Sequence, residues 1–126
     1  METNKKVVVI EDDVMLSSIL IRHLTDEHIE SRLITTGEGA FQSIKDDLPD
    51  LLVLDLFLPV VSGLEILEMI RKDDVTKDLK VLVLSNSWES KNAEMVGAFG
   101  APFLMKAAVS PTIIVEQIKK MMAEQK

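Results

Sequence analysis

Asp55 is the only charged residue in the apolar run Leu51-Leu52-Val53-Leu54-Asp55-Leu56-Phe57-Leu58, which Pro59 ends. A carboxylate in that setting needs a partner or a chemical purpose, since burying it unpaired costs on the order of several kcal/mol. A second acidic group, Glu11-Asp12-Asp13, follows the apolar run Val7-Val8-Val9-Ile10, so two apolar runs carry acids at their ends. Ser85 follows Val81-Leu82-Val83-Leu84, and Lys106 follows Phe103-Leu104-Met105. Three carboxylates brought to one place repel each other and raise the pKa of at least one, unless a cation sits between them. A hard divalent ion meets that need, and magnesium, or manganese in its place, suits an all-oxygen donor set. The resulting chemistry is phosphoryl transfer to Asp55: its carboxylate attacks, the ion and Lys106 neutralise the phosphoryl oxygens, and the Ser85 hydroxyl donates to one of them. Singly, each residue has an ordinary role. Asp13 reads as a helix N-cap, Ser85 as a turn former and Lys106 as a solvated cation. Their joint placement at four run ends points to a site.

The elements that must position these residues are legible in the same runs. Residues 7–10, 51–54 and 81–84 lack the polar alternation of a half-exposed strand and read as central parallel strands. Residues 32–35 and 102–105 read as flanking strands, with Pro102 favouring an edge because it has no N–H for a ladder. Amphipathic stretches at 14–26 (Leu16, Ile19, Leu20, Leu24), 39–45 (Phe41, Ile44), 64–71 (Leu67, Ile70), 89–99 and 112–123 (Ile114, Ile118, Met121) read as helices. Ser62 and Glu65 have capping-box spacing, Gly100 follows a helix, and Ser110-Pro111 supplies an N-cap and a first-turn proline. Strands alternating with helices imply an α/β, doubly wound, five-stranded parallel sheet whose site lies beyond the carboxyl ends of the strands.

Composition bounds the rest. At 126 residues and 47% hydrophobic content the chain is expected to form one domain over residues 1–126. A net charge of -7 argues against nucleic-acid or anionic-membrane surfaces as direct partners and favours cations. No cysteine is present, which excludes disulfides and thiolate metal ligands and fits a cytoplasmic protein. No apolar stretch approaches the roughly 20 residues of a membrane span, and no signal-peptide core follows Met1.

On these segments, Val7 to Asp13, Asp55 to Gly63, Val81 to Ser85 and Phe103 to Lys106, the chain resembles the receiver domain of two-component response regulators, the chemotaxis-response-regulator-like family. Ser85 stands 30 residues after Asp55, and Lys106 a further 21 on, spacings typical of that family. The resemblance implies the flavodoxin-like strand order 2-1-3-4-5, one of the common orders of doubly wound sheets. It implies that Asp55 accepts a phosphoryl group from a phosphohistidine on a sensor histidine kinase or histidine phosphotransfer protein. Glu11 and Asp12 would be the metal-binding acids, with the backbone carbonyl of Phe57 and Asp55 itself completing the protein's contacts to magnesium. Ser85 and Lys106 would respond to phosphorylation, and Phe103 matches the aromatic switch position, though it reads equally as a core residue. The fourth helix, fifth strand and fifth helix would carry the change to an unknown downstream effector.

The chain departs from the family in places. Ala107 stands where a proline, often preceded by a cis bond, usually follows the lysine; a trans bond is expected here. Asn86 replaces a small residue, and Phe57 and Ser87 occupy positions that tune loss of the phosphoryl group. An apolar Phe57 offers nothing to orient a water, so a long-lived phosphorylated state is expected. Trp88 is expected to be partly buried at a helix start. Three rivals stand beside this reading: a receiver-like interaction domain that is never phosphorylated, a haloacid-dehalogenase-type phosphatase, which needs an acid where Phe57 stands, and a flavodoxin-like cofactor binder, which needs hydroxyl and glycine residues where Glu11-Asp12-Asp13 stand. The protein is thus expected to be a switch that catalyses its own phosphorylation, with no separate enzymatic activity.

Overall fold

The computed structural model describes residues 5–85 and 90–124, so Asn86, Ser87 and Trp88, and what was expected of them, lie outside the described residues. Five strands, β1 (Lys6–Ile10), β2 (Glu30–Ile34), β3 (Leu51–Asp55), β4 (Lys80–Ser85) and β5 (Phe103–Met105), alternate with five helices, α1 (Val14–Asp26), α2 (Ala40–Asp46), α3 (Gly63–Lys72), α4 (Ser90–Ala98) and α5 (Pro111–Ala123). The strands are parallel and run β2-β1-β3-β4-β5 across the sheet, the expected order.

The continuous apolar runs have a simple cause: both faces of the central strands are covered. Val7, Val9, Leu51, Val53, Leu82 and Leu84 point to one face and pack with Leu20 and Leu24 of α1 and Ile114, Ile118 and Met121 of α5. Val8, Ile10, Leu52, Leu54, Val81 and Val83 point to the other, against Ile44 of α2, Leu67 and Ile70 of α3, and Val96 of α4. Fully burying one such aliphatic side chain contributes roughly 1.5–3 kcal/mol, so this double layer is the main source of stability.

The punctuation residues act locally. Asp13 caps α1, its Oδ1 accepting from the Leu16 N–H at 3.1 Å. Ser62 and Glu65 form the reciprocal capping box of α3, and Ser110 caps α5 with Pro111 in its first turn. Pro102 lies just before β5, an edge strand; its carbonyl accepts from Val83 N at 2.9 Å, so its missing N–H costs the ladder nothing.

Four expectations need correction. Strand β2 starts two residues earlier and ends one earlier than 32–35, because Lys6 pairs with Glu30 and draws the polar Glu30-Ser31 into an edge ladder that tolerates solvated side chains. Ile19 is 39% exposed rather than in the core, since the inward stripe of α1 is Ser17, Leu20 and Leu24 and residue 19 sits about 100° round from residue 20. Gly39 precedes α2 as its N-cap at φ 74°, and Phe99 lies past the end of α4, whose chain turns at Gly100 with φ 72°.

Candidate active site at the strand ends

β3 ends on Asp55, β4 on Ser85, β1 runs directly into Glu11 and Asp12, and a short 3-10 helix, Lys106–Ala108, follows β5. Parallel pairing in register therefore brings all four ends to one rim, and the structure places Glu11, Asp55 and Ser85 there essentially without exposed surface. Asp12 is exposed at the same rim. One carboxylate oxygen each from Glu11, Asp12 and Asp55 lies within 4.8 Å of the others.

Lys106 supplies the countercharge. Its Nζ is 3.2 Å from Asp55 Oδ2, 2.9 Å from Glu11 Oε1 and 3.0 Å from Glu11 Oε2, with its side chain only 11% exposed. Burial alone would lower the Lys106 ammonium, but its hydrogen bond to Glu11 and the fields of Asp55 and Glu11 outweigh that and raise it above the usual lysine value. Burial pushes the Glu11 carboxyl up to about 7, and the neighbouring Asp55 adds to the rise, against the lowering effect of the Asp13 N–H and Lys106. One gathered acid was expected to rise and Glu11 does, but burial rather than like-charge crowding is the first cause.

The site is also shaped by backbone. Asp55 Oδ1 accepts from the Phe57 N–H at 3.2 Å, and Glu11 Oε2 accepts from the Asp13 N–H at 3.0 Å. Gly63 N–H donates to Leu56 O at 2.8 Å, and a Cβ on Gly63 would lie 2.0 Å from Asp55 O; only glycine allows the loop after β3 to fold back on the Asp55 backbone. A Cβ on Gly37 would likewise lie 2.0 Å from Val61 O, so the loop after β2 buttresses the same segment. Between them Val60 adopts φ 71°, inside a tight turn closed by Val61 N–H to Pro59 O at 2.8 Å, a strained conformation for a β-branched residue. The sequence reading passed over these two glycines as determinants. The available signal was a glycine at the first position of a capped helix, where a better helix former would serve α3 alone.

The Phe57 ring is 53% exposed and Phe103 is partly buried against the core layer beneath α3 and α4. Among the described residues there is no cis peptide bond.

Glu11 Oε1 is buried and receives no directed hydrogen bond, although the Lys106 ammonium is close. A buried carboxylate oxygen with an uncommitted lone pair, inside an all-oxygen cluster, fits a hard divalent cation.

A model of the response regulator receiver domain matches residues 7–119. This chain belongs to the response regulator receiver family. The receiver is 31% identical over 121 residues to the phosphate regulon transcriptional regulatory protein PhoB of Rhizobium meliloti, covering 96% of this chain and 53% of that protein. It is 30% identical over 122 residues to the transcriptional activator protein ExaE of Pseudomonas putida, covering 92% of this chain and 55% of that one. The chain thus spans about half the length of the curated relatives it matches. A CheY-like response regulator receiver domain protein from Methanospirillum hungatei superposes with TM-score 0.87 at 23% identity over 95% of this chain and 94% of that one, a match of fold. The receiver is a two-component signalling domain, and none of its described helices is long and apolar enough to cross a membrane.

Proposed function

We propose that the receiver accepts a phosphoryl group on Asp55 from a phosphohistidine of a sensor histidine kinase or histidine phosphotransfer protein, and signals to a partner by the change that follows. The observation that carries this reading is the Asp55 carboxylate, nearly fully buried at a strand end and held 3.2 Å from the Lys106 ammonium beside two further acids. An Asp55 oxygen attacks phosphorus, the P–N bond to the donor imidazole breaks, and the imidazole leaves with the bonding pair. Lys106 is in reach to neutralise charge on the transferred group, and Ser85, at the end of the neighbouring strand, can donate to one of its oxygens. Glu11, Asp12, Asp55 and the Phe57 carbonyl would hold magnesium or manganese, which supplies charge neutralisation to the phosphoryl oxygens when bound. Phe103 would follow Ser85, filling space that the hydroxyl vacates and biasing a two-state equilibrium. On this reading residues 1–126 form one receiver domain that acts as a switch rather than as an enzyme on a separate substrate.

The test is intact-mass spectrometry after incubation with acetyl phosphate, with and without magnesium, on wild type and Asp55→Asn. A magnesium-dependent gain of one phosphoryl group in wild type, absent from the variant, is expected. A domain that takes up no phosphoryl group under any donor would instead be the unphosphorylated interaction module.

A further inference from the structure

Arg71, in the last turn of α3, directs its guanidinium at backbone carbonyls of two other segments. Nε donates to Phe99 O at 2.6 Å, while Nη1 donates to Leu79 O at 2.8 Å and Lys77 O at 3.1 Å. Phe99 directly follows the last residue of α4, so its carbonyl belongs to the set that a helix end leaves without internal partners. A cation there also meets the negative end of the helix dipole.

The same end of α4 is locked a second way. Ala101 N–H donates to Val96 O at 3.2 Å and Gly100 N–H to Gly97 O at 2.9 Å around the left-handed Gly100, and the apolar pair Val96 and Ala101 is buried beneath this turn. That combination is the glycine-terminated helix stop with its hydrophobic contact. The rest of α4 is held differently. Among its described side chains, residues 93–98, only Val96 is buried; Glu94, Met95, Gly97 and Ala98 are exposed. Among these described side chains, packing grips the helix at Val96.

We infer that Arg71 clamps the C-terminal end of α4 to α3 and to the chain entering β4, so that this end is the fixed end of the helix. Arg71 is a positioning residue, remote from the acids and from Lys106. α4 follows β4, which ends on Ser85, so a helix held at its far end turns a displacement beside Ser85 into a swing of its near end. That use of the clamp rests on the switch reading of Asp55 and Ser85, whereas the clamp itself is a property of the resting protein.

Amide hydrogen exchange on wild type, Arg71→Met and Arg71→Lys tests it. In wild type the amides of Phe99, Gly100 and Ala101 should exchange more slowly than those of residues 94–96. Arg71→Met should lose about tenfold of the protection at 99–101 while amides of β1 and β3 stay within about twofold, and Arg71→Lys should fall between, because an ammonium cannot span carbonyls from two segments as a planar fork does. An even loss across the sheet, or unchanged protection at 99–101, would overturn the clamp. Should Arg71→Met fail to fold, the wild-type gradient and Arg71→Lys decide, and faster exchange at 99–101 than at 94–96 would refute it. In a separate arm, beryllofluoride with magnesium should alter exchange at 94–96 more than at 99–101 in wild type and leave Asp55→Asn unchanged. A shift as large at 99–101 would count against the clamp as a pivot, whereas no response in wild type would count against the phosphoacceptor reading.

Discussion

Glu11 sits with no exposed surface between a lysine and a second acid, and its carboxyl is pushed up to about 7 chiefly by burial. The sign of the consequence follows from linkage. Between its ordinary value of 4.5 and about 7, the folded state binds this proton and the unfolded state releases it. The stability this group contributes without metal is therefore full below about pH 4.5 and lost as pH rises through 7, by at most about 3 kcal/mol. Lys106 works in the opposite range, since its raised pKa contributes stability below 10.5 that disappears only as pH climbs past its folded value. A divalent ion needs Glu11 ionised, so magnesium affinity measured by calorimetry should be about tenfold weaker at pH 6 than at pH 8. Glu11→Gln should flatten that profile; an equally steep profile in the variant would assign the proton elsewhere. Phe57 bonds to Asp55 through its backbone N–H, so Phe57→Asn can keep that contact while replacing a half-exposed ring with an amide able to orient water. Loss of the phosphoryl group, followed by mass spectrometry, should accelerate roughly tenfold or more. Equal rates would remove Phe57 as a shield. At this scale the gathering of Glu11, Asp12, Asp55 and Lys106 was legible, because a charge beside an apolar run is conspicuous. The hydrogen bond from Lys106 to Glu11 Oε2 was not, since side-chain direction is decided by the turn that follows β5.

The segment after β3 shows what an element needs beyond pattern. Gly63 serves two masters, as the first residue of α3 and as the gap into which the Asp55 backbone fits. Gly63→Ala should cost about 2–3 kcal/mol in chemical denaturation, because the displaced atoms are backbone and cannot rotate away. It should also slow phosphorylation of Asp55 beyond what lost stability explains; a well-folded variant with unchanged phosphorylation would contradict the packing role. Val60 is the strained counterpart, 77% exposed with a positive φ. Val60→Asn should stabilise the fold by about 1 kcal/mol, and a loss of stability would mean that the Val60 side chain makes a contact worth more than its strain. Helices with caps were readable to within a residue or two, as Asp13, Ser62 and Ser110 each accept the expected N–H. β2 was read less well, since an edge strand with one solvated side follows its neighbour's register more than its own hydropathy. The Val60 turn left no sequence signal at all, valine being a residue that ordinarily avoids that conformation.

At the scale of the molecule, the two-sided burial of β1, β3 and β4 is what made the architecture legible. Residues such as Val7 and Val8 are equally apolar because one faces α1 and α5 and the other faces α2 and α3. The strand order then follows from right-handed crossovers, and the order fixes where the acids meet. Net charge of -7 favours a cation at the rim, but nothing in a single domain names the kinase or the effector. PhoB of Rhizobium meliloti and ExaE of Pseudomonas putida, both transcriptional regulators, are about twice this length. What the rim itself does can be decided by trapping. After incubation with acetyl phosphate and magnesium, borohydride reduces an acyl phosphate to the alcohol, and peptide mapping then locates the converted residue. Conversion at Asp55 alone, abolished by chelation, is the expected result; conversion at another acid, or none at Asp55, would contradict the assignment of the phosphoacceptor.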